Sequence, residues 1–390
     1  MYIAILGRQP NISMAELEKV HGSENVSWFS PVSATVDTPE FSIERLGGTQ
    51  KAGRIVLQLP RGDWRQASMK IIAHYTKKWA MHEGKITLGL SAYGLGTSSR
   101  EVQKTGIILK QKLKNSNISL RLVPNTEPAL NTATSHHNKL GLSENKMELL
   151  IIRGADGRVV VAESIGAQNI TSLARRDQGR PKRDAFVGML PPKLAQIMIN
   201  LATPQTKAKH IRLLDPFCGT GVILQEAALM GFSVYGTDLA DKMIDYSKAN
   251  LEWLASIHNI SINSSLHQGD AMNTTWQSPI DAVAAESYLG QPFSAPPSPP
   301  KLAEVRRNCN HIISSFLQNI AGQLQPGTPL CIAVPAWKDT NGTFTHLPLI
   351  NQLETLGFTR FDFSHIKSND LLYYREDQVV ARELLVLSKA

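Results

Sequence analysis

Leu213-Leu-Asp-Pro-Phe-Cys-Gly-Thr-Gly221 says more about the fold than any other stretch of this 390-residue chain. The apolar run from Ile211 to Leu214 reads as a buried strand, and Asp215 sets a carboxylate at its carboxyl end, where open α/β sheets bind ligands. Gly219 and Gly221 remove side chains where a ligand must approach the backbone. Ile223, Leu224, Ala227 and Ala228 then recur at helical spacing, so the turn opens a helix whose first amides face the ligand. Phe232–Thr237 reads as a second strand ending at Asp238, 17 positions after Gly221. Dinucleotide folds place their ribose-binding acid at an offset of about 20 residues. Leu224 stands where such a fold has its third glycine, and an acid just before the turn would repel a pyrophosphate. A carboxylate there suits a ligand with a ribose, an ammonium and a sulfonium, namely S-adenosylmethionine (SAM). The alternative is another Rossmann-like nucleotide binder.

The length predicts two or three domains, and 42% hydrophobic with 19% charged residues excludes a disordered chain. The apolar runs fall short of the ~20 residues that span a bilayer. Arg8 interrupts the apolar start Met1–Gly7 and no cleavage pattern follows, which predicts no secretory leader. Cys218, Cys309 and Cys331 are odd in number and widely spaced, which predicts neither disulfides nor a zinc site and fits a reducing cytoplasm. Cys218 is expected to pack rather than react. His136 and His137 lack a third ligand at sensible spacing, so no metal is expected.

The net charge of +8 favours a polyanionic partner. It gathers in two clusters: Arg100, Lys104, Lys110, Lys112, Lys114 and Arg121, and Arg175, Arg176, Arg180, Lys182 and Arg183. Flanking a nucleotide-type fold, they point to a nucleic-acid substrate.

Strands are expected at Tyr2–Leu6, Val32–Val36, Arg54–Leu59, Lys85–Ser91 and Ser119–Val123, and a hairpin from Glu148–Ile152 and Val159–Ser164 around Asp156-Gly157. Ser13 is expected to cap a helix beginning at Met14, with Glu16 completing a capping box. Trp64–Ala80 and a basic Val102–Leu113 complete an α+β pattern without nucleotide loops. The sequence therefore divides into residues 1–170, a basic, turn-rich linker 171–188, and residues 189–390, where strand–helix units predict a parallel sheet. In the last region Asp241–Leu254 reads as a helix, and Asp270-Ala271 sits where a third strand would end. Ile280–Ala285 is a fourth strand ending at Glu286 and Leu330–Val334 a fifth; Gly357–Phe363 with Val379–Leu387 forms a closing antiparallel pair. Five prolines within 291–300 predict a stiff exposed loop, and Trp276 and Trp337 are expected in the core or at the pocket rim.

Several motifs together resemble the tRNA guanosine-N2 methyltransferases that join an RNA-binding THUMP domain to a class I methyltransferase domain. They are Leu120-Arg-Leu-Val, Ala129-Leu-Asn-Thr-Ala133 and His137-Asn-Lys-Leu140, then Arg180-Pro-Lys-Arg183 with Gly188-Met-Leu-Pro-Pro-Lys-Leu-Ala195, then Asp215–Gly221, Gly236-Thr-Asp238 and Gly269-Asp270-Ala271. The resemblance implies a THUMP-containing α+β region, then a Rossmann-like domain with a seven-stranded, mostly parallel sheet. It implies SAM as cofactor, tRNA as partner, no membrane, and a cytoplasmic monomer. It places Asp215, Phe217, Gly219 and Gly221 around the methionine part, Asp238 on the ribose, Asp270 and Ala271 on the adenine, and Leu190 and Lys193 at the near side of the pocket.

The family ends its fourth strand with Asp-Pro-Pro-Tyr or Asn-Pro-Pro-Tyr, whose acceptors orient an exocyclic amine and whose ring stacks on an extruded base. Here Glu286-Ser287-Tyr288 stands instead. Glu286 keeps an anionic acceptor, Ser287 does not fix the backbone as proline does, and Tyr288 keeps an aromatic displaced by one position. Three readings follow: an active motif, a different target atom or base, or a silent SAM- and RNA-binding protein. A DNA amino-methyltransferase is a further rival, expected to lack the THUMP-like half.

Overall fold

The computed structural model describes residues 1–184, 190–203 and 211–390. The chain forms two compact units, one of residues 1–17, 21–44 and 48–172, the other of 18–20, 45–47 and 173–390.

The first unit is built on eight strands: β1 (Tyr2–Leu6), β2 (Val26–Ser30), β3 (Ser33–Val36), β4 (Thr49–Leu59), β5 (Ile86–Tyr93), β6 (Leu120–Leu122), β7 (Lys146–Arg153) and β8 (Val159–Ala167). They lie in the order β2-β3-β1-β4-β8-β7-β5-β6. Five helices accompany them in the sequence, α1 (Pro10–His21), α2 (Trp64–Lys78), α3 (Ser99–Lys114), α4 (Thr132–His137) and α5 (Ile170–Gln178). β7 is apolar on both faces. Leu149 and Ile151 join a core with Ile71 and Tyr75 of α2 and Leu109 and Leu113 of α3, while Leu150 and Ile152 join Ile3, Ile5 and Phe29.

Two expectations change here. α1 starts at Pro10, whose fixed φ suits a first helical turn, so Ser13 and Glu16 lie inside the helix rather than at its cap. Their side chains turn to the backbone instead: Gly7 donates to Ser13 Oγ at 3.3 Å and Gly48 to Glu16 Oε2 at 2.8 Å. The turn-rich linker of residues 171–188 begins as helix, because Ile170–Gln178 forms α5 and buries Leu173 and Arg176. Residues 185–188 of that linker lie outside the described residues.

The second unit holds α6 (Pro192–Ala202), β9 (Arg212–Asp215), α7 (Val222–Leu229), β10 (Ser233–Asp238), α8 (Asp241–His258), β11 (Ser264–Gln268), β12 (Ala282–Glu286) and α9 (Pro299–Ala321). After these come β13 (Pro329–Lys338), β14 (Phe344–Thr345), β15 (Phe358–Arg360), β16 (Leu372–Tyr373) and β17 (Val380–Lys389). The main sheet runs β11-β10-β9-β12-β13-β17-β15, with the two-residue strands β14 and β16 added on β13 and β17. The first five strands are mutually parallel, and β17 is inserted antiparallel between β13 and β15. This is the fold of the class I methyltransferases. The strand order reverses between β9 and β12, so a crevice is expected at their carboxyl ends. Of the proline-rich segment, Pro299 and Pro300 begin α9 rather than extend the loop, since proline lacks only an N–H that the first helical turn leaves unpaired anyway. Among the described residues no helix is long and apolar enough to cross a membrane.

Candidate functional site

Four acids end or closely follow four neighbouring parallel strands: Asp215 on β9, Asp238 on β10, Asp270 two residues beyond β11, and Glu286 on β12. All four line one cavity of about 500 Å³, together with Leu190, Phe217, Gly219, Ala271, Ser287 and Tyr288. The sequence-derived residues thus converge, except that Gly221 and Lys193 do not line the cavity.

Gly221 packs against α8. It precedes α7 at φ 78°, and a Cβ there would lie 2.8 Å from Ser247 Oγ on α8. Ser247 donates to the Gly219 carbonyl at 2.8 Å, so this close approach of α8 shapes the turn. Replacing Gly221 with Ala combines left-handed backbone strain with that clash, and thermal denaturation should register a loss of about 1–3 kcal/mol.

The acids are organised by the backbone. Asp238 accepts from the Gly219 amide at 2.9 Å through Oδ2 and from the Ala240 amide at 3.0 Å through Oδ1, so it braces the glycine turn while lining the cavity. Each oxygen keeps a second lone pair for a ligand hydroxyl. Asp270 accepts from the Met272 amide at 3.0 Å. Asp215 is buried and accepts from the Phe217 amide at 3.1 Å. Burial, reinforced by the charges of Asp238 and Glu286, raises its carboxyl well above the usual range, against the opposing Phe217 amide.

At the end of β12 the altered motif is more rigid than its sequence implies. Ser287 donates both its amide, at 3.0 Å, and its hydroxyl, at 2.9 Å, to the carbonyl of Ala333 on β13. The backbone after Glu286 is therefore clamped by hydrogen bonds where the family motif has a proline ring. Glu286 Oε1 accepts from Arg382 Nε of β17. Burial raises the Glu286 carboxyl, and the neighbouring guanidinium opposes that rise. Tyr288 is 43% exposed and lines the cavity, an aromatic ring available at its edge. Gly290 has φ 79°, and a Cβ there would meet Val305 at 2.8 Å, which lets α9 approach the motif.

Sequence reasoning missed Arg382, and also Leu239, Met272 and Ile312 on the cavity wall. Leu239 is 69% exposed directly after Asp238, so an apolar residue following the ribose-type acid was the available signal. Cys218 is buried and packs, with Ser247 Oγ 3.7 Å from its Sγ, and Trp276 and Trp337 are both core residues.

The two basic clusters differ. Arg100, Lys104, Lys110, Lys112, Lys114 and Arg121 are all exposed on the first unit. In the second cluster only Arg175, Lys182 and Arg183 are exposed. Arg176 is buried and forms a two-point pair with Glu226 at 2.6 and 3.0 Å. Arg180 is 3% exposed, none of its guanidinium nitrogens has a hydrogen-bond partner among the described residues, and burial lowers its basicity. Gly188 and Met189 of the adjoining motif lie outside the described residues. In the first unit, Lys51 is buried and donates to the Leu130 carbonyl at 2.6 Å and Glu148 Oε1 at 2.5 Å. Ser91 completes this anchor, donating to Glu148 Oε1 at 2.6 Å and accepting from the Leu130 amide at 2.9 Å. It fixes the start of the segment 129–140, which leads into α4 through the Asn131 cap. Among the described residues no group of three or more His, Cys, Asp or Glu is arranged to hold a metal ion.

Comparison with known proteins points to the same region. Residues 180–286 match the family model described as RMKL-like, methyltransferase domain. A tRNA (guanine(10)-N2)-dimethyltransferase of Methanothermobacter thermautotrophicus is 32% identical over 172 residues, which are 44% of this chain and 46% of that protein. One from Pyrococcus abyssi is 48% identical over 64 residues, 16% of this chain and 18% of that protein. The chain thus spans less than half the length of these curated relatives. The crystal structure of TrmN from Thermus thermophilus aligns over 100% of this chain and 99% of that one, at 17% identity and a TM-score of 0.54, a likeness of fold.

Proposed function

We propose that the protein is a SAM-dependent tRNA methyltransferase that modifies the exocyclic N2 amine of a guanosine. The observation that carries this reading is the acid-lined cavity at the strand reversal, bounded by the glycine turn on one side and Glu286-Ser287-Tyr288 on the other. The names of its relatives add the substrate class.

The donor set suits SAM. Four carboxylates disfavour a pyrophosphate, yet they can stabilise an ammonium and a sulfonium and accept from ribose hydroxyls and an adenine amine. SAM supplies a methyl carbon activated by its positive sulfur. Asp238 would hold the ribose, Asp270 and the Ala271 amide the adenine edge, and Asp215 the cationic methionine end. Tyr288 stacks on a base taken out of its helix. Glu286 and the Ser287 carbonyl accept the two amine hydrogens and turn the nitrogen lone pair towards the methyl carbon. With SAM bound there, Glu286 would take up the surplus amine proton and pass it to water as the methyl group moves from sulfur to nitrogen.

The exposed basic face of the first unit, next in sequence to its anchored 129–140 segment, supports a THUMP-like role in holding folded RNA by shape and phosphate contacts. The domain assignment (residues 1–170, 171–188 and 189–390), the monomeric state and a cytoplasmic location belong to the same proposal.

The deciding experiment supplies labelled SAM and unmodified tRNA to the purified protein and identifies the labelled nucleoside. N2-methylated guanosine is expected. Cofactor and tRNA binding without transfer would instead establish a silent binding protein, and label in another nucleoside would move the target atom.

The raised Asp215 carboxyl makes binding pH-dependent. A cationic ligand stabilises the ionised form, so binding draws that pKa down and releases a proton. SAM affinity should therefore rise with pH until Asp215 is ionised in the free protein, then level off. Calorimetry in two buffers of different ionisation enthalpy should show proton release on the rising limb, and equal heats would contradict a role for Asp215.

A further inference from the structure

An anionic amine acceptor in a buried site has two problems. Burial favours its protonated form, and an unbranched glutamate side chain can turn away from the substrate. Both bear on Glu286, which is 15% exposed. Arg382 addresses both. Its side chain is 10% exposed, and its Nε donates to Glu286 Oε1. Its backbone is fixed from two sides, since Arg382 pairs with Pro335 of β13 and with Tyr373 of β16. The charged group acting on Glu286 is this guanidinium, from β17, while Glu286 in turn adds to the negative charge around Asp215 of β9. Among the described residues, Glu286 Oε2 has no partner, and Glu286 lines the cavity.

We infer that Arg382 is the positioning residue of the transfer site, holding Glu286 by one oxygen so that the other faces the target amine. With the Ser287–Ala333 clamp, it does what the proline pair does in the related motif: it fixes the direction of the acceptor. During transfer the amine nitrogen gains the methyl carbon, the carbon–sulfur bond opens, and the amine proton passes to Oε2 and then to water while Oε1 remains on the guanidinium. The inference rests on the amine-methylation reading above.

The test compares wild type, Arg382→Met, Arg382→Lys, Glu286→Gln and the Arg382→Met/Glu286→Gln double variant, with kcat measured on tRNA across pH and SAM affinity by calorimetry. Arg382→Met should lower kcat by about 10- to 100-fold, the scale of a lost charge-assisted hydrogen bond. SAM affinity should stay within about twofold. The acid limb of kcat should move to higher pH, because Glu286 without its counter-charge keeps its proton longer. Arg382→Lys should restore part of the rate and bring the limb back. In the Glu286→Gln background, whose neutral amide needs no counter-ion, adding Arg382→Met should cost nothing further, and this pair decides the matter even if Arg382→Met alone folds poorly. A wild-type rate in Arg382→Met, an unmoved acid limb, or fully multiplicative losses in the double variant would overturn the inference while leaving the proposed function standing. A wild-type protein that transfers no methyl to tRNA would overturn both.

Discussion

Glu286→Ala should reduce methyl transfer by about 10²- to 10³-fold at saturating SAM and tRNA, the range typical of removing one preorganised group that stabilises charge in the transition state. An exocyclic guanine amine is a weak nucleophile because its lone pair is delocalised into the base, and Glu286 is the one anionic acceptor at the end of β12. SAM affinity should change little, since the glycine turn and Asp215, Asp238 and Asp270 remain. Stability should fall, because Arg382 is left buried without its partner. Single-turnover kinetics with labelled SAM, read beside a melting curve, separates the two effects. Turnover like that of the wild type would remove Glu286 from the mechanism.

Asp238→Ala should have the second largest effect, this time on binding. The variant loses the acceptor proposed for the ribose hydroxyls and also the acceptor for the Gly219 and Ala240 amides. SAM affinity should weaken by about 1–3 kcal/mol, or roughly 5- to 150-fold. Asp238→Asn keeps one acceptor oxygen and should fall between wild type and the alanine variant. Titration calorimetry gives the affinities directly, and an unchanged value for Asp238→Ala would mean that the ribose lies elsewhere.

The part of the cavity proposed for the cofactor was legible because its residues are local in sequence. A strand, an acid and a glycine turn occupy nine consecutive residues, and each later acid sits at the end of a recognisable strand. The contact of Gly221 with α8 was not legible, because glycine spacing cannot distinguish a contact with ligand from a contact with a helix. Ser287 looked permissive because its two bonds to Ala333 depend on the β12–β13 pairing rather than on neighbouring residues. Arg382 had no local signal at all. It lies 96 positions from Glu286, on a strand that reads from sequence only as the partner of a closing pair. The early start of α1 and the helix within the basic linker were missed because Pro10 and the buried Leu173 outweigh a capping pattern and a run of charge.

The insertion of β17 between β13 and β15 bears on the timing of biosynthesis. A nascent polypeptide that has emerged as far as β16 already carries the glycine turn and its three aspartates. It has neither the strand that joins the last two main-sheet neighbours nor the guanidinium that bonds Glu286. Domains tend to fold from the amino-terminal side as they leave the ribosome, yet here the transfer site can be finished only after residue 382 has been translated. On the proposed reading, a chain that ends before β17 would lack the residue that positions the acceptor, and transfer would wait for the last strand.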